Sequence, residues 1–324
     1  MTRRPPHNLF RQRGIALLVA IVMFAIATTV AAAITYNKAM AARRAAATFT
    51  LEQALQAGMA AEALASIVLE DNGNSNRTSL DQAWSQPLGP VEIEGTGIWI
   101  QAQLEDMNSR FNLNSLLKWE PPPVGQFVKD PRQVDVFREL LAHLDIDQAY
   151  ADLLADWVDS DITPQQSGGG EDTLYLTQNP PYRPPNTFIT HTSELLALPK
   201  FGAENYARIA PFVTALPLDA KVNPCTASGL ILDMNNNDGT AQWQSAPLEL
   251  NRKKGCWPTR SDVQAGFADP AKWTLADPHY EEKSSWFRLR TNIRIGTAEF
   301  VLYSVLFREG GNRVRTVQRS FGSE

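Results

Sequence analysis

Cysteine and histidine are scarce in this chain of 324 residues. Two cysteines cannot build a disulfide scaffold, and four histidines, isolated at positions 7, 143, 191 and 279, offer no close pair for a histidine-built zinc centre. A broad basic surface is missing as well: 30 Lys+Arg stand against 35 Asp+Glu, a formal net charge of -5. That balance argues against a general nucleic-acid binder, while leaving room for local basic patches. No nucleophile elbow, phosphate loop or zinc motif occurs. At 44% hydrophobic, 20% charged and 9% aromatic, the composition excludes a disordered or collagen-like chain. A mean hydropathy of -0.26 excludes a polytopic membrane protein but not a single span. At roughly 150 residues per domain the length predicts about two globular units.

What is present begins near the N-terminus. Ile15 to Tyr36 is uncharged over 22 positions, which at ~1.5 Å per residue matches a hydrocarbon core of ~30 Å. Arg3, Arg4, Arg11 and Arg13 precede it without an acid, a cytoplasmic flank by the positive-inside rule, although Lys38, Arg43 and Arg44 weaken the bias. A secretory signal cut near Ala31 to Ala33 is the alternative, but its apolar region usually spans only ~7 to 15 residues. From Ile15 to Ala57 there is neither Gly nor Pro, so one helix can run on for ~65 Å. Leu51, Leu55, Gly58, Ala61, Ala65 and Val68 then recur at helical spacing and predict one buried stripe. A plain anchor would pass into a flexible linker instead.

These features resemble the type IV pilin-like proteins. In that class a short basic leader ends in Gly, prepilin peptidase cuts after it, and the new amino group is methylated. The resemblance makes 1–14 the leader, Gly14 its last residue and Ile15 the first mature one, with 15–36 the membrane segment of a helix reaching about residue 70. Most members carry Glu at the fifth mature position; here it is Val19, the pattern of the K-type minor pseudopilin of type II secretion.

Beyond the helix, Asn72 to Asn76 is a turn-rich break. Apolar and polar residues alternate over Ile98 to Glu105 and over Trp286 to Ile295, predicting half-buried strands, and Glu299 to Arg308 and Arg313 to Arg319 read as two more, joined at Gly310-Gly311. Between them lie helical patterns at Val134 to Leu144, Ala149 to Val158 and Tyr206 to Thr214. Distant strands of like pattern suggest one sheet split by a helical insertion beginning near Asn112.

Glu139 to Tyr182 holds nine acids and no Lys or Arg. Asp152 and Asp156 share a helix face at i, i+4, and Asp159 and Asp161 follow in DWVDSD. Gathered carboxylates repel, and a bound cation offsets the repulsion. With carboxylate and carbonyl oxygens on offer and no Cys or adjacent His, Ca²⁺ is favoured over zinc or copper. Gly168 to Gly170 lets the loop fold back. A solvated acidic face is the plain alternative, and a hydrolytic carboxylate pair lacks a nucleophile or base nearby. Asp233 to Gly239 (DMNNNDG) departs from a calcium loop, with Gln244 at its twelfth position, and predicts a turn.

SRFNLNSLL (Ser109 to Leu117), DWVDSD with GGGED and PPYRPPN (Asp156 to Asn186), SELLALPKFGAENYARIAPFVTALP (Ser193 to Pro217) and KVNPCTASGLIL (Lys221 to Leu232) are similar, in order, to the K-type pseudopilins of type II secretion. The resemblance implies an α+β, pilin-like fold, a long N-terminal helix packed on a small antiparallel sheet and interrupted by a large helical, SAM-like insertion. It places the β region at 71–111 and 285–324, a first insertion part at 112–217 and a second, remodelled part at 218–284. It implies calcium held by Asp156, Asp159, Asp161, Glu171 and Asp172. It also implies a single-pass inner-membrane protein with a periplasmic head, assembling with the I-type and J-type minor pseudopilins and with the H-type at a pseudopilus tip, without enzymatic turnover. Pro224 and Cys225 interrupt the family's usual Val-Asn-Val-Asn-Thr-Ala-Ser. Cys225 and Cys256 would then face an oxidising compartment where pairing is expected, two buried free thiols being the alternative. The rival functions are an anchored periplasmic metal-dependent hydrolase and a minor pilin of a type IV pilus or DNA-uptake system. No phosphate-binding hairpin follows the KVNPCTAS motif, so no nucleic-acid partner is expected.

Overall fold

The computed structural model describes residues 13–164, 168–236, 242–244, 246–310 and 313–322. Residues 1–12 of the expected leader and Gly311 of the expected hairpin turn lie outside the described residues. The chain divides into two units, with the boundary between Gln56 and Ala57 inside helix α1 (Arg13–Asn72). In the first unit the apolar stretch has its side chains exposed, among them Ile15, Leu17, Met23 and Phe24. Its few hydroxyls bond back to the helix: Thr28 to the Ala25 carbonyl at 2.9 Å, Thr29 to Ile26 at 2.8 Å and Thr35 to Ala31 at 2.8 Å. These bonds satisfy the threonine hydroxyls within the helix itself, as hydrocarbon requires.

In the second unit the strands in chain order are β1 (Leu88–Ile93), β2 (Ile98–Asp106), β3 (Phe111–Asn112), β4 (Leu117–Glu120), β5 (Gln126–Lys129), β6 (Val213–Thr214), β7 (Trp286–Ile295), β8 (Ala298–Arg308) and β9 (Val314–Phe321). Five of them form one antiparallel sheet in the order β1-β2-β7-β8-β9. β2 and β7, neighbours in register from Ile98↔Ile295 to Asp106↔Phe287, are separated in sequence by the whole insertion. The period-two pattern is kept: Ile98, Ile100, Ala102 and Leu104 face inward with Phe287, Leu289 and Ile293.

Against that face, α1 buries Ala57, Gly58, Ala61, Glu62, Ala65 and Leu69. The stripe is narrower than its sequence pattern, because Leu51 is exposed and Leu55 and Val68 are only half-buried. Small residues take the seam since helix and sheet approach closely: a Cβ on Gly58 would lie 2.3 Å from Leu302 Cδ2. Glu62, buried among them, accepts bonds from Arg319 Nε and Nη2 at 2.7 and 2.6 Å, Ser304 Oγ at 2.6 Å and Thr316 Oγ1 at 2.9 Å.

The insertion adds α2 (Pro131–His143), α3 (Ala149–Val158), α4 (Asp172–Tyr175), α5 (Gly202–Ile209), α6 (Gly229–Asn236), α7 (Leu248–Arg252), α8 (Arg260–Gly266) and α9 (Pro270–Ala276). A β4–β5 hairpin opens the insertion, built from short runs that pattern reading passes over, and two sequence expectations change. The helix expected to Thr214 ends at Ile209, where Pro211 and an extended Val213 stop it and β6 pairs with β3. The turn expected from Asp233 is helical as far as Asn236, and Asp233 accepts from the Trp243 and Gln244 amides at 2.7 and 2.8 Å. Residues 237–239 lie outside the described residues. The two insertion parts share one core, in which Phe137, Leu140 and Leu154 continue into Ile231, Trp243 and Tyr280.

Candidate functional site

Helix α3 ends at Val158 because Asp159 is extended, its amide bonding the Ala155 carbonyl at 3.1 Å. The exit loop is then tied down from both sides. Ser160 Oγ donates to the Phe127 carbonyl at 3.0 Å, Asn186 Nδ2 donates to the Asp161 carbonyl at 3.1 Å, and Asp161 accepts from the Thr163 amide at 2.7 Å. Gly170 has no room for a side chain, since a Cβ there would lie 2.2 Å from Leu174 and 2.9 Å from Leu153. That close pass delivers Glu171 to the end of α3.

The result is a cluster in which one carboxylate oxygen each of Asp159, Asp161 and Glu171 lies within 4.8 Å of the others. Asp159 and Glu171 are 1% and 4% exposed, and none of their four side-chain oxygens has a hydrogen-bond partner. Lys129 on β5 stays beyond hydrogen-bond range, its Nζ 3.8 Å from Asp156 and 3.9 Å from Asp159. Burial pushes the Asp159 carboxyl up to about 7, helped by the charges of Asp161 and Asp156 and opposed by Lys129. Burial and then Asp156, Asp159, Asp161 and Asp172 push Glu171 up to about 7 as well. For carboxylates this buried, Lys129 is a single counter-charge held outside hydrogen-bond range, and an all-oxygen donor set fits a hard cation such as Ca²⁺.

Of the five expected ligands the structure thus gathers Asp159, Asp161 and Glu171, with buried Asp156 alongside. Asp172 turns away, 44% exposed at its side chain and 3.4 Å from Arg183. Asp152 also has a structural partner, Arg138 of α2 at 3.0 Å. Lys129 was not legible as part of the site, because a lone Lys some thirty positions upstream carries no spacing signal.

A second polar centre, missed by pattern reading, joins the sheet to the insertion. Asp106, the last residue of β2, is buried and accepts from Thr226 Oγ1 and Ser284 Oγ at 2.6 Å each, the Asn108 amide at 2.8 Å and Asn223 Nδ2 at 3.2 Å. Burial drives its carboxyl above the ordinary range and these bonds oppose the rise. Arg308, the last residue of β8, donates to Thr78 Oγ1 at 2.8 Å, the Ser284 carbonyl at 2.5 Å and the Leu69 carbonyl at the end of α1 at 3.4 Å. The asparagines of RFNLNS act likewise: Asn112 bonds the Leu216 amide and Pro217 carbonyl at 3.0 and 2.8 Å, and Asn114 bonds both the amide and carbonyl of Ile189 at 2.8 Å. These motif residues stitch distant segments together.

Cys225 and Cys256 form a disulfide. It closes a loop around Arg252, which is buried with its guanidinium donating to the carbonyls of Trp257 at 2.9 Å, Pro224 at 3.1 Å and Ala227. At the other end of the chain, Gly14 and Ile15 both lie within α1, with Ile15 67% exposed. α1 is the helix long and apolar enough to cross a membrane among the described residues.

Residues 109–218 match the family model for type II secretion system protein K. The type II secretion system protein K of Pseudomonas aeruginosa is 31% identical over 322 residues, 96% of this chain and 93% of that protein. The chain belongs to the type II secretion system protein K family. Its Klebsiella pneumoniae relative is 32% identical over 327 residues, with 96% and 97% covered. A chain of the GspK-GspI-GspJ complex from the type 2 secretion system of enterotoxigenic Escherichia coli shares the fold, with a TM-score of 0.73 at 24% identity over 87% of this chain and 100% of that one. This protein is a K-type minor pseudopilin. The family is structural, and the apolar helix at its N-terminus fits a single-pass membrane anchor.

Proposed function

We propose that this K-type pseudopilin is the terminal subunit of the pseudopilus and acts by docking, without turnover. The carrying observation is where the insertion leaves the sheet. Asp106 at the end of β2, Ser284 just before β7 and Arg308 at the end of β8 meet at the end of α1, through the Leu69 carbonyl and Thr78. The insertion therefore springs from the sheet end toward which the C-terminal part of α1 points. In a fibre of parallel helical rods, a subunit stacked beyond that end would meet it.

In this reading prepilin peptidase cuts after Gly14, Ile15 becomes the methylated N-terminus, and the helix waits in the inner membrane with the head in the periplasm. Val19 at the fifth mature position suits a subunit with one neighbour fewer. I-type and J-type minor pseudopilins are the partners favoured by likeness to the complex named above, with the H-type alongside. Ca²⁺ sits among Asp159, Asp161 and Glu171, with Asp156 close by, and fixes the loop; the four buried oxygens of Asp159 and Glu171, none of them hydrogen-bonded, support it. Intact mass of the chain purified from its own host tests the processing. A mature start at Ile15 is expected, and a chain still beginning at Met1 or trimmed among Ala31 to Ala33 would overturn it.

A further inference from the structure

The sheet face turned away from α1 is built unlike an ordinary wet surface. β7 is the central strand of five, and its outward residues include Arg288, Arg290 and Arg294. Trp99 and Tyr303 stand beside them on the adjoining strands. Arg294 lies 5.6 Å from the Trp99 ring centroid and Arg288 lies 5.7 Å from that of Tyr303. Trp286 packs on Phe307 at 4.5 Å. Arg, Trp and Tyr are the residues that dominate binding energy at protein interfaces, and guanidinium stacked on a ring is held extended before any partner arrives.

Charge orders the same face. Arg290 sits opposite Gln103 and Tyr303, and Arg294 opposite Trp99 and Glu299. Neither Arg290 nor Arg294 forms an ion pair among the described residues, and both are exposed. Acids keep to the margins: Glu105 accepts from Arg110 at 2.8 Å and from Arg288 at 2.7 Å, and Glu299 lies at the far end. On a chain of net charge -5 this is a local reversal of sign. Alternate residues of a strand stand ~6.8 Å apart, the same spacing as acidic side chains on one side of an extended peptide.

Where the face meets the insertion, a cavity of about 130 Å³ opens beside Trp286, Arg288 and Tyr303. Thr214 lines it, fully buried, with an Oγ1 that has no hydrogen-bond partner. A buried hydroxyl without a partner is costly unless a ligand supplies one.

We infer that this face is a docking site for an extended acidic polypeptide segment of another protein, its carboxylates on the β7 arginines and one end seated in the cavity beside Thr214. The inference does not depend on the fibre position or on calcium.

The test uses the full-length protein in detergent micelles and a fluorescein-labelled peptide of six Glu-Thr repeats, read by anisotropy. Saturable binding that weakens as salt rises is expected, with at least tenfold loss in Arg290→Glu/Arg294→Glu and in Arg290→Gln/Arg294→Gln. A peptide of Gln-Thr repeats on the unmodified protein should bind at least tenfold more weakly. Thr214→Val should lose threefold or more, and an unchanged affinity removes the cavity from the site. Absence of saturable binding, equal binding of the Gln peptide, or a folded double variant that binds as well as the parent overturns the proposal. So does displacement of the peptide by single-stranded DNA at equal concentration, which would mark a general polyanion surface.

Discussion

Removing and restoring calcium should change the stability of this protein in a pH-dependent way whose sign follows from the acidic loop. Without metal, Asp159 and Glu171 titrate near 7 in the folded chain, against ~3.9 and ~4.3 when unfolded. A carboxyl raised on folding leaves stability intact below the unfolded value and removes it as pH climbs through the folded value. Two units between pH 7 and 5, at ~1.4 kcal/mol each, give about 3 kcal/mol regained by one such group on acidification. Each shift contains the charge of the other group, so the two do not add. Calcium opposes the same loss by mass action, about 2.7 kcal/mol at a concentration near 100 times Kd, or roughly 5 °C in Tm. Differential scanning calorimetry of the full chain in detergent should therefore show Ca²⁺ raising Tm by about 5 °C at pH 8 and by less than half of that at pH 5. The metal-free protein should itself melt higher at pH 5 than at pH 8 once other titrations are matched with Asp159→Asn. That variant should melt above the metal-free parent at pH 8 and ignore Ca²⁺. A calcium shift equal at both pH values, or a destabilised Asp159→Asn, refutes the reasoning.

Three further outcomes are expected. Glu62 is buried and raised by that burial, but bonds from Arg319, Ser304 and Thr316 outweigh it and hold its carboxyl below the ordinary value. Arg319→Ala should then cost about 2 to 4 kcal/mol by denaturant melting at pH 7, a loss that shrinks as pH falls through the Glu62 pKa; a change under about 0.5 kcal/mol would show the pair idle. Cys225→Ser with Cys256→Ser opens a loop with sequence separation 31, and should lower stability by about 3 to 4 kcal/mol in the chain-entropy model, with the loss mimicked by reductant. Asn114→Ala removes bonds to both polar atoms of the Ile189 backbone, and hydrogen exchange at Ile189 should rise by an order of magnitude or more.

Some of this was legible in the sequence and some was not. The alternations over Ile98 to Glu105 and Trp286 to Ile295 gave their strands and faces because one side of an antiparallel sheet is buried. Ala149 to Val158 was read to the residue, since its pattern ends against an acidic, extended exit. Of the helix seam, Gly58, Ala61 and Ala65 were read in place, while Leu51, Leu55 and Val68 were assigned to it on hydrophobicity alone, although close approach reserves the seam for small residues. Glu62 escaped notice because its partners Ser304, Thr316 and Arg319 lie more than 240 positions away. Likewise Asp106 gathers Thr226 and Ser284 across the insertion, and no local period announces a buried polar contact between distant segments. The acidic run marked the region of the site, but only the fold separates Asp159, Asp161 and Glu171 from Asp172.

The most direct test of the terminal position is to tag the insertion at exposed Leu250, assemble pseudopili in the host, and label the isolated fibres with gold. Labels confined to one end of each fibre are predicted, and labels spaced along the shaft would contradict the account.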